Sequence, residues 1–143
     1  MLFNRRERRI RRILIVEDEP LVAFDNEHLL VEAGYQVVAT VDSLGDAAQC
    51  MEEEGDLHLV LTDIRLAGDG DGTDVARAAG ARGIPVLFVS AHCPVEAQNL
   101  GIGWLTKPHS DKMLKSALEA LEVLLSGKKL KRLPAGLSLY EKS

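Results

Sequence analysis

The chain has 143 residues, of which 46% are hydrophobic and 27% are charged. This composition is typical of one soluble globular domain with its own core. No apolar run approaches the roughly 20 residues that a membrane helix needs, and the charged N-terminus is unlike a secretory signal peptide. The two cysteines lack zinc-ligand spacing. We therefore expect a cytoplasmic protein with no membrane partner.

Charge is distributed unevenly along the chain. Residues 1–12 carry six Arg and one Glu, and residues 128–143 carry four Lys, one Arg and one Glu. The residues between them carry six Lys or Arg against twenty Asp or Glu, which disfavours nucleic-acid binding by the body of the protein. We expect a basic N-terminal arm over 1–11, one domain over 12–126 and a basic C-terminal tail over 127–143. Both ends are expected to be solvated or attracted to the acidic body, and contact with phosphates is the alternative.

Strands and helices alternate along this body. Short apolar or β-branched runs predict strands at residues 13–16, 36–41, 57–62, 84–90 and 102–106. Helical segments are predicted at residues 20–33, 43–53, 73–82 and 111–126. The remaining connection, residues 91–101, is ambiguous because Pro94 either starts a shortened helix or holds a loop. This alternation implies an open parallel sheet covered by helices on both faces.

Residues typical of helix ends support these boundaries. Pro20 suits the first turn of the first helix, and Gly34 suits the position just after its end. Ser110 and Gly127 bracket the last helix in the same way. That helix also has the clearest apolar stripe, formed by Met113, Leu114, Ala117, Leu118, Leu121 and Leu125.

Polar side chains follow four of the predicted strands at the point where each strand ends. They are Glu17, Asp18 and Glu19 after the first strand, Asp63 after the third, Ser90 at the end of the fourth, and Thr106 and Lys107 at the end of the fifth. The carboxyl ends of parallel strands share one edge of the sheet, where ligands bind. These groups are costly to desolvate without partners, so their convergence predicts a functional site.

The chemistry of this set suggests a combined metal and phosphoryl site. Clustered carboxylates repel one another unless a cation lies between them, and an oxygen-only set suits Mg²⁺. Lys107 is a mobile point charge suited to an anion, and the Ser90 hydroxyl can donate to a phosphoryl oxygen. Asp63 is central on the edge and is the best candidate for the nucleophile.

Four motifs in the order VEDEP (16–20), LTDIRL (61–66), VSA (89–91) and TKP (106–108) resemble a known family. They are similar to the motifs of response-regulator receiver domains of two-component signalling, and the resemblance covers roughly residues 12–126. It implies a CheY-like, flavodoxin-like fold with three layers and a five-stranded parallel sheet in the order 2-1-3-4-5.

The resemblance implies a role for each acidic residue of the site. Asp63 would be the phosphoacceptor. Glu17 and Asp18 would hold Mg²⁺, together with Asp63 and the backbone carbonyl of Arg65.

The remaining roles concern the switch. Ser90 would be the hydroxyl that moves onto the phosphoryl group, and Lys107 would pair with that group. The Lys107–Pro108 bond is a candidate cis peptide. Trp104 lies where the family has an aromatic residue whose rotamer reports the switch, and core packing is the alternative reading of this residue.

The sequence also departs from the usual pattern of the family. The segment from Ser90 to Lys107 is short, so the helix between the fourth and fifth strands is expected to be reduced. The stretch RGIPVLFVSAH partly resembles PFxFATGY-type alphaproteobacterial single-domain receivers. Phe88 and Val89 fit that pattern, but Ser90-Ala91-His92 replaces Thr-Gly-Tyr, and His109 replaces the usual Phe.

The expected function is that of a stand-alone response regulator without a DNA-binding domain. A histidine kinase or histidine phosphotransferase would donate the phosphoryl group to Asp63 in a Mg²⁺-dependent reaction. The phosphorylated form would switch the binding of an unknown downstream protein, or would relay or drain phosphate. The protein would be no enzyme beyond its own phosphorylation and dephosphorylation. The alternative is a receiver-fold binding module that is not phosphorylated.

Overall fold

The computed structural model describes residues 8–140 and contains one sheet of six strands. In chain order the strands are β1 (Arg12–Val16), β2 (Gln36–Val41), β3 (Leu59–Thr62), β4 (Val86–Ser90), β5 (Gly103–Thr106) and β6 (Leu137–Leu139). The sheet order is β2-β1-β3-β4-β5-β6. The first five strands are parallel to one another, which confirms the predicted flavodoxin-like order 2-1-3-4-5. The sheet has one strand more than the five predicted, because β6 pairs antiparallel with β5.

Four α-helices cover the two faces of this sheet. They are α1 (Pro20–Glu32), α2 (Leu44–Glu53), α3 (Gly72–Ala81) and α4 (Asp111–Leu125). Ile13 and Ile15 of β1 face the core that includes α1 and α4, whereas Leu14 and Val16 face the core that includes α2 and α3. Successive strand residues point to opposite faces, so a continuous apolar run is what a doubly covered strand requires. Within residues 8–140, none of the helices is both long enough and apolar enough to cross a bilayer.

The predicted helix ends agree with the structure. The Ser110 hydroxyl accepts a hydrogen bond from the backbone N–H of Met113 at 3.1 Å, as an N-cap residue does. Gly34 and Gly127 have positive φ angles of 97° and 79° just after α1 and α4, the conformation in which glycine ends a helix.

The connection between β4 and β5 contains no α-helix. Residues 91–102 are all described, and their regular structure is one 3₁₀ turn, Val95–Ala97. Pro94 precedes this turn, and Ala97 is fully buried in the core next to α2 and α3. The sequence-based expectation of a reduced helix here is therefore confirmed.

The prediction of an irregular C-terminal tail is wrong for residues 137–139. These residues form β6, which pairs antiparallel with the outer edge of β5. Leu137 lies in the core that includes α1 and α4, with 4% of its surface exposed. A strand of three residues is too short to show periodicity in the sequence, and only its pairing with β5 defines it. Residues 141–143 of the predicted tail lie outside the described residues.

The prediction of a solvated N-terminal arm is wrong for Arg8 and Ile10. Arg8 and Ile10 are buried, and the Arg8 guanidinium lies 4.4 Å from the centre of the Tyr35 ring. The buried carboxylate of Glu122 in α4 accepts hydrogen bonds from the backbone N–H groups of Arg9 and Ile10 at 2.9 and 3.0 Å. A buried carboxylate is tolerated when such donors satisfy it, and this one ties the arm to α4. Residues 1–7 lie outside the described residues.

His58 holds the beginning of β1 in place. Its Nδ1 atom accepts hydrogen bonds from the backbone N–H groups of Arg11 and Arg12, both at 3.0 Å. Burial lowers the pKa of His58, and the positive charges of Arg11 and Arg12 lower it further. The neutral ring, with its proton on Nε2, is therefore the form that the fold requires.

We predict that His58 makes folding sensitive to mild acid. Because its pKa is lower in the folded than in the unfolded state, stability is complete above about pH 6.5 and falls as the pH drops toward the lowered folded value. The variant His58→Asn keeps a side-chain acceptor but cannot titrate. Urea unfolding between about pH 7.5 and about pH 5.5 should show a smaller loss of stability for the variant.

His109 does not confound this comparison. Burial lowers its pKa as well, but it is present in both proteins and its contribution cancels in the difference. Identical pH profiles for the two proteins would contradict the assignment to His58.

Candidate functional site

The carboxyl ends of β1, β3, β4 and β5 converge as the sequence predicted. They form the walls of a cavity of about 610 Å³. Its lining residues come from the loops that follow these strands and are Asp18, Glu19, Asp63, Ile64, Arg65, Ser90, Ala91, His92, Pro94 and Lys107.

Lys107 connects two of the carboxylates of this site. Its Nζ atom lies 2.6 Å from Oε1 of Glu17 and 2.7 Å from Oδ2 of Asp63. Burial by itself would lower the pKa of Lys107, but the hydrogen bonds to Asp63 and Glu17 and their negative charges outweigh it. The pKa of Lys107 is therefore raised, and the side chain is a permanent ammonium group beside Asp63.

Asp63 is held in a fixed orientation at the end of β3. Its Oδ1 atom accepts hydrogen bonds from the backbone N–H groups of Ile64 at 2.6 Å and Arg65 at 3.3 Å, while Oδ2 accepts from Lys107. Hydrogen bonds to both oxygens therefore fix the direction in which the carboxylate points. Asp63 is buried yet borders the cavity, which leaves a positioned carboxylate accessible from one side.

The loop after Asp63 depends on a close approach that the sequence alone did not reveal. The backbone N–H of Gly72, at the start of α3, donates to the carbonyl of Ile64 at 2.7 Å. A Cβ atom at position 72 would lie 2.0 Å from the carbonyl oxygen of Asp63, so only glycine fits. The segment contains three glycines, Gly68, Gly70 and Gly72, and tertiary packing decides which of them lies against Asp63.

Glu17, Asp18 and Asp63 form an oxygen-only ligand set. One carboxylate oxygen from each lies within 4.8 Å of the others. Burial raises the pKa of Glu17, with partial compensation by the hydrogen bond to Lys107. Arg65, whose carbonyl is the further predicted ligand, lines the same cavity. Carboxylate and carbonyl oxygens are the donors that Mg²⁺ prefers, so the residues of this site fit that ion.

The side chain of Trp104 contacts the backbone of Ser90. The Ser90 carbonyl accepts a hydrogen bond from the indole Nε1–H of Trp104 at 2.8 Å and another from the Lys107 backbone N–H at 3.0 Å. Trp104 is half-buried and packs partly against the core next to α2 and α3. Both readings of Trp104 thus have a structural basis, and its role in switching stays a prediction. The Lys107–Pro108 peptide bond is cis, the isomer that the resemblance implies.

Comparisons with known proteins point to one family. The model of the response regulator receiver domain matches residues 13–119. The chain is 35% identical over 81 residues to the phyllosphere-induced regulator PhyR of Methylorubrum extorquens, covering 56% of this chain and 30% of PhyR. It is 33% identical over 115 residues to the sensory transduction protein RegX3 of Mycobacterium bovis, covering 76% of this chain and 49% of RegX3. The solved response regulator receiver protein from Sinorhizobium medicae matches with a TM-score of 0.68 and 30% identity, covering 78% of this chain and 93% of that one.

The fold and the acidic site define a two-component signalling module. The chain belongs to the response regulator receiver domain family. It spans about half or less of the length of the two curated relatives named above.

We predict that Gly72 is required for the geometry of the site. The variant Gly72→Ala would force the start of α3 away from Asp63 and should destabilise the protein by about 1–3 kcal/mol. Urea unfolding measures this change. The matched control is Gly80→Ala in the same helix, where a Cβ atom meets nothing within 4 Å.

The control variant should be neutral or stabilised by up to about 1 kcal/mol, because alanine favours a helix. Equal destabilisation by both changes would show that helix α3, rather than contact with Asp63, accounts for the effect.

Proposed function

We propose that this protein is a phosphorylation switch in which Asp63 accepts a phosphoryl group from a histidine kinase or a histidine phosphotransferase. The observation that carries the proposal is the position of Asp63 at the edge of the cavity, with Oδ1 on two backbone N–H groups and Oδ2 2.7 Å from the Lys107 ammonium. A preorganised carboxylate beside a fixed cation suits attack on an anionic phosphoryl group.

The transfer can be described from the residues of this site. An oxygen of Asp63 forms a bond to phosphorus while the bond from phosphorus to the donor imidazole nitrogen breaks. The ammonium of Lys107 lies close enough to pair with the incoming phosphoryl oxygens. Mg²⁺, which Glu17, Asp18 and Asp63 would hold, supplies positive charge to the phosphoryl group when bound.

Ser90 would respond to phosphorylation of Asp63. Its hydroxyl lies at the end of β4 on the same cavity as Asp63, where it would donate to a phosphoryl oxygen. Movement of Ser90 and the following loop would shift a two-state population and change the surface offered to a downstream protein. Attack of water on the acyl phosphate would reset the protein, which would catalyse no reaction other than these two. The proposal assumes that these partners meet in the cytoplasm, as the sequence predicts.

We predict that beryllofluoride, a mimic of a phosphoryl group on a carboxylate, changes the fluorescence of Trp104 when Mg²⁺ is present. The sequence contains one Trp, so emission excited at a wavelength that tyrosine does not absorb reports this residue alone. The hydrogen bond between Trp104 and the Ser90 carbonyl should be altered when Ser90 moves. Titration without Mg²⁺ is the control. An unchanged emission together with unchanged amide NMR shifts at residues 63, 90 and 107 would favour the binding module that is not phosphorylated.

A second prediction concerns the acceptor residue. Incubation with phosphoramidate and Mg²⁺ should add one phosphoryl group to the protein, and the variant Asp63→Asn should lose this label. The control Asp69→Asn changes an exposed carboxylate six positions along the chain and should be labelled as the unchanged protein is. Intact-mass measurement before and after hydroxylamine, which cleaves acyl phosphates, checks both variants. Retained labelling of Asp63→Asn would mean that another residue is the acceptor.

A further inference from the structure

The outer edge of β5 is covered by a very short strand. β6 pairs with it through Leu137, Ser138 and Leu139, which face Leu105, Trp104 and Gly103 respectively. Two further hydrogen bonds flank this pairing, from the Thr106 N–H to the Gly136 carbonyl at 3.0 Å and from the Tyr140 N–H to the Ile102 carbonyl at 3.2 Å. Without β6, β5 would present a free row of backbone donors and acceptors, which is a template for another strand.

The edge of β5 is shaped to receive a closely approaching strand. A Cβ atom on Gly103 would lie 2.6 Å from the carbonyl oxygen of Ser138. The other neighbours of that Cβ position are farther away, with Leu139 and Leu87 side chains at 3.2 and 3.6 Å. Glycine in a strand interior often marks a place where another backbone comes close, and here that backbone belongs to β6.

β6 is connected to Ser90 and the segment that follows it at two places, through Tyr140 at its end and through Trp104 opposite its middle residue. The Cys93 sulfur and the Tyr140 hydroxyl oxygen lie 2.7 Å apart, which ties the end of β6 to the β4–β5 connection. Trp104, the partner of Ser138 in the sheet, donates its indole N–H to the Ser90 carbonyl. A movement of Ser90 therefore acts on β6 through two separate contacts.

We propose that the outer edge of β5 is a strand-binding site, which β6 occupies at rest and which phosphorylation opens to an extended segment of a partner protein. This inference rests on the proposed function, because it requires Ser90 and its loop to move toward Asp63. That movement withdraws Cys93 from Tyr140 and disturbs the Trp104 contact, so β6 pairs less tightly with β5. Binding by strand addition is a general mode of peptide recognition.

The side chains of β6 indicate which kind of partner segment would fit on the edge of β5. Leu137 is buried in the core that contains α1 and α4, and Leu139 packs partly against that core. Tyr140 packs partly against the opposite core, beside Trp104 and Cys93. A suitable partner therefore offers an extended, uncharged segment with apolar side chains at alternate positions, followed by an aromatic residue with a hydrogen-bonding group.

Hydrogen exchange of the full-length protein tests the release of β6. Beryllofluoride with Mg²⁺ should accelerate exchange of the Tyr140 and Thr106 amides by about fivefold or more. The net free energy of one or two lost hydrogen bonds corresponds to a change in opening equilibrium of this size. Shifts at residues 63, 90 and 107 with unchanged exchange at Tyr140 would overturn this inference and leave the proposed function intact. Absence of any shift at residues 63, 90 and 107 would overturn both.

A labelled peptide with the sequence PAGLSLY, which corresponds to residues 134–140, tests the binding site itself. Fluorescence anisotropy should show binding to the full-length protein with beryllofluoride and Mg²⁺, and at least about tenfold weaker binding without them. Equal binding in both conditions, or none in either, would overturn the inference.

Variants at glycine positions separate the edge of β5 from general stability. Gly103→Ala places a methyl group against any strand on this edge, so it should abolish peptide binding and accelerate Tyr140 exchange even without beryllofluoride. The matched control is Gly45→Ala in α2, where a Cβ atom meets nothing within 4 Å, and this variant should behave as the unchanged protein does.

Tyr140→Phe removes only the hydroxyl contact with Cys93 and should raise beryllofluoride affinity about twofold to tenfold, because coupling is reciprocal. An unchanged affinity in Tyr140→Phe would remove that contact from the proposed coupling.

Discussion

The site depends on the ion pairs of the Lys107 ammonium group with Glu17 and Asp63. The side chains of Glu17 and Asp63 are 3% and 8% exposed, and buried carboxylates are costly unless a counter-charge and hydrogen bonds compensate them. Lys107 provides that charge to both at hydrogen-bonding distance. Because the three residues follow β1, β3 and β5, the ends of three strands must keep their relative positions for this triad to exist. The stability of the sheet and the chemistry of its edge are thus linked through one cation.

Much of this arrangement could be predicted because the parallel sheet imposes a simple rule. Residues that follow apolar strands meet at one edge, so Asp63 and Lys107 could be brought together without knowledge of any distance. The features that escaped prediction are defined by contacts between distant segments. β6 has three residues and exists only through its pairing with β5, and the requirement for glycine at position 72 exists only because α3 begins against Asp63. Local sequence patterns contain no information about such approaches.

The C-terminal segment packs against the short connection between β4 and β5. A single 3₁₀ turn, Val95–Ala97, buries Ala97 against the core, and Tyr140 reaches Cys93 in the same connection. The part of the molecule next to β5 on this side is therefore made of the β4–β5 connection and the edge strand β6, without a regular helix. Segments with few hydrogen bonds to their neighbours open at lower free energy than core strands. This side of the molecule is thus the one that a change at Ser90 can most easily rearrange.

The two ends of the sheet differ in how firmly they are held. At the amino end of β1, Glu122 accepts hydrogen bonds from the backbone of residues 9 and 10, and His58 accepts them from the backbone of residues 11 and 12. At the carboxyl ends, the carboxylates of Glu17 and Asp63 are connected to each other through one side chain, Lys107. In the proposed function, an incoming phosphoryl group would compete for this same cation and would therefore act at the carboxyl ends of the strands. Because the contacts at the start of β1 lie at the opposite end of the sheet, the proposed movement would involve the loops around Asp63 and the neighbouring edge of β5.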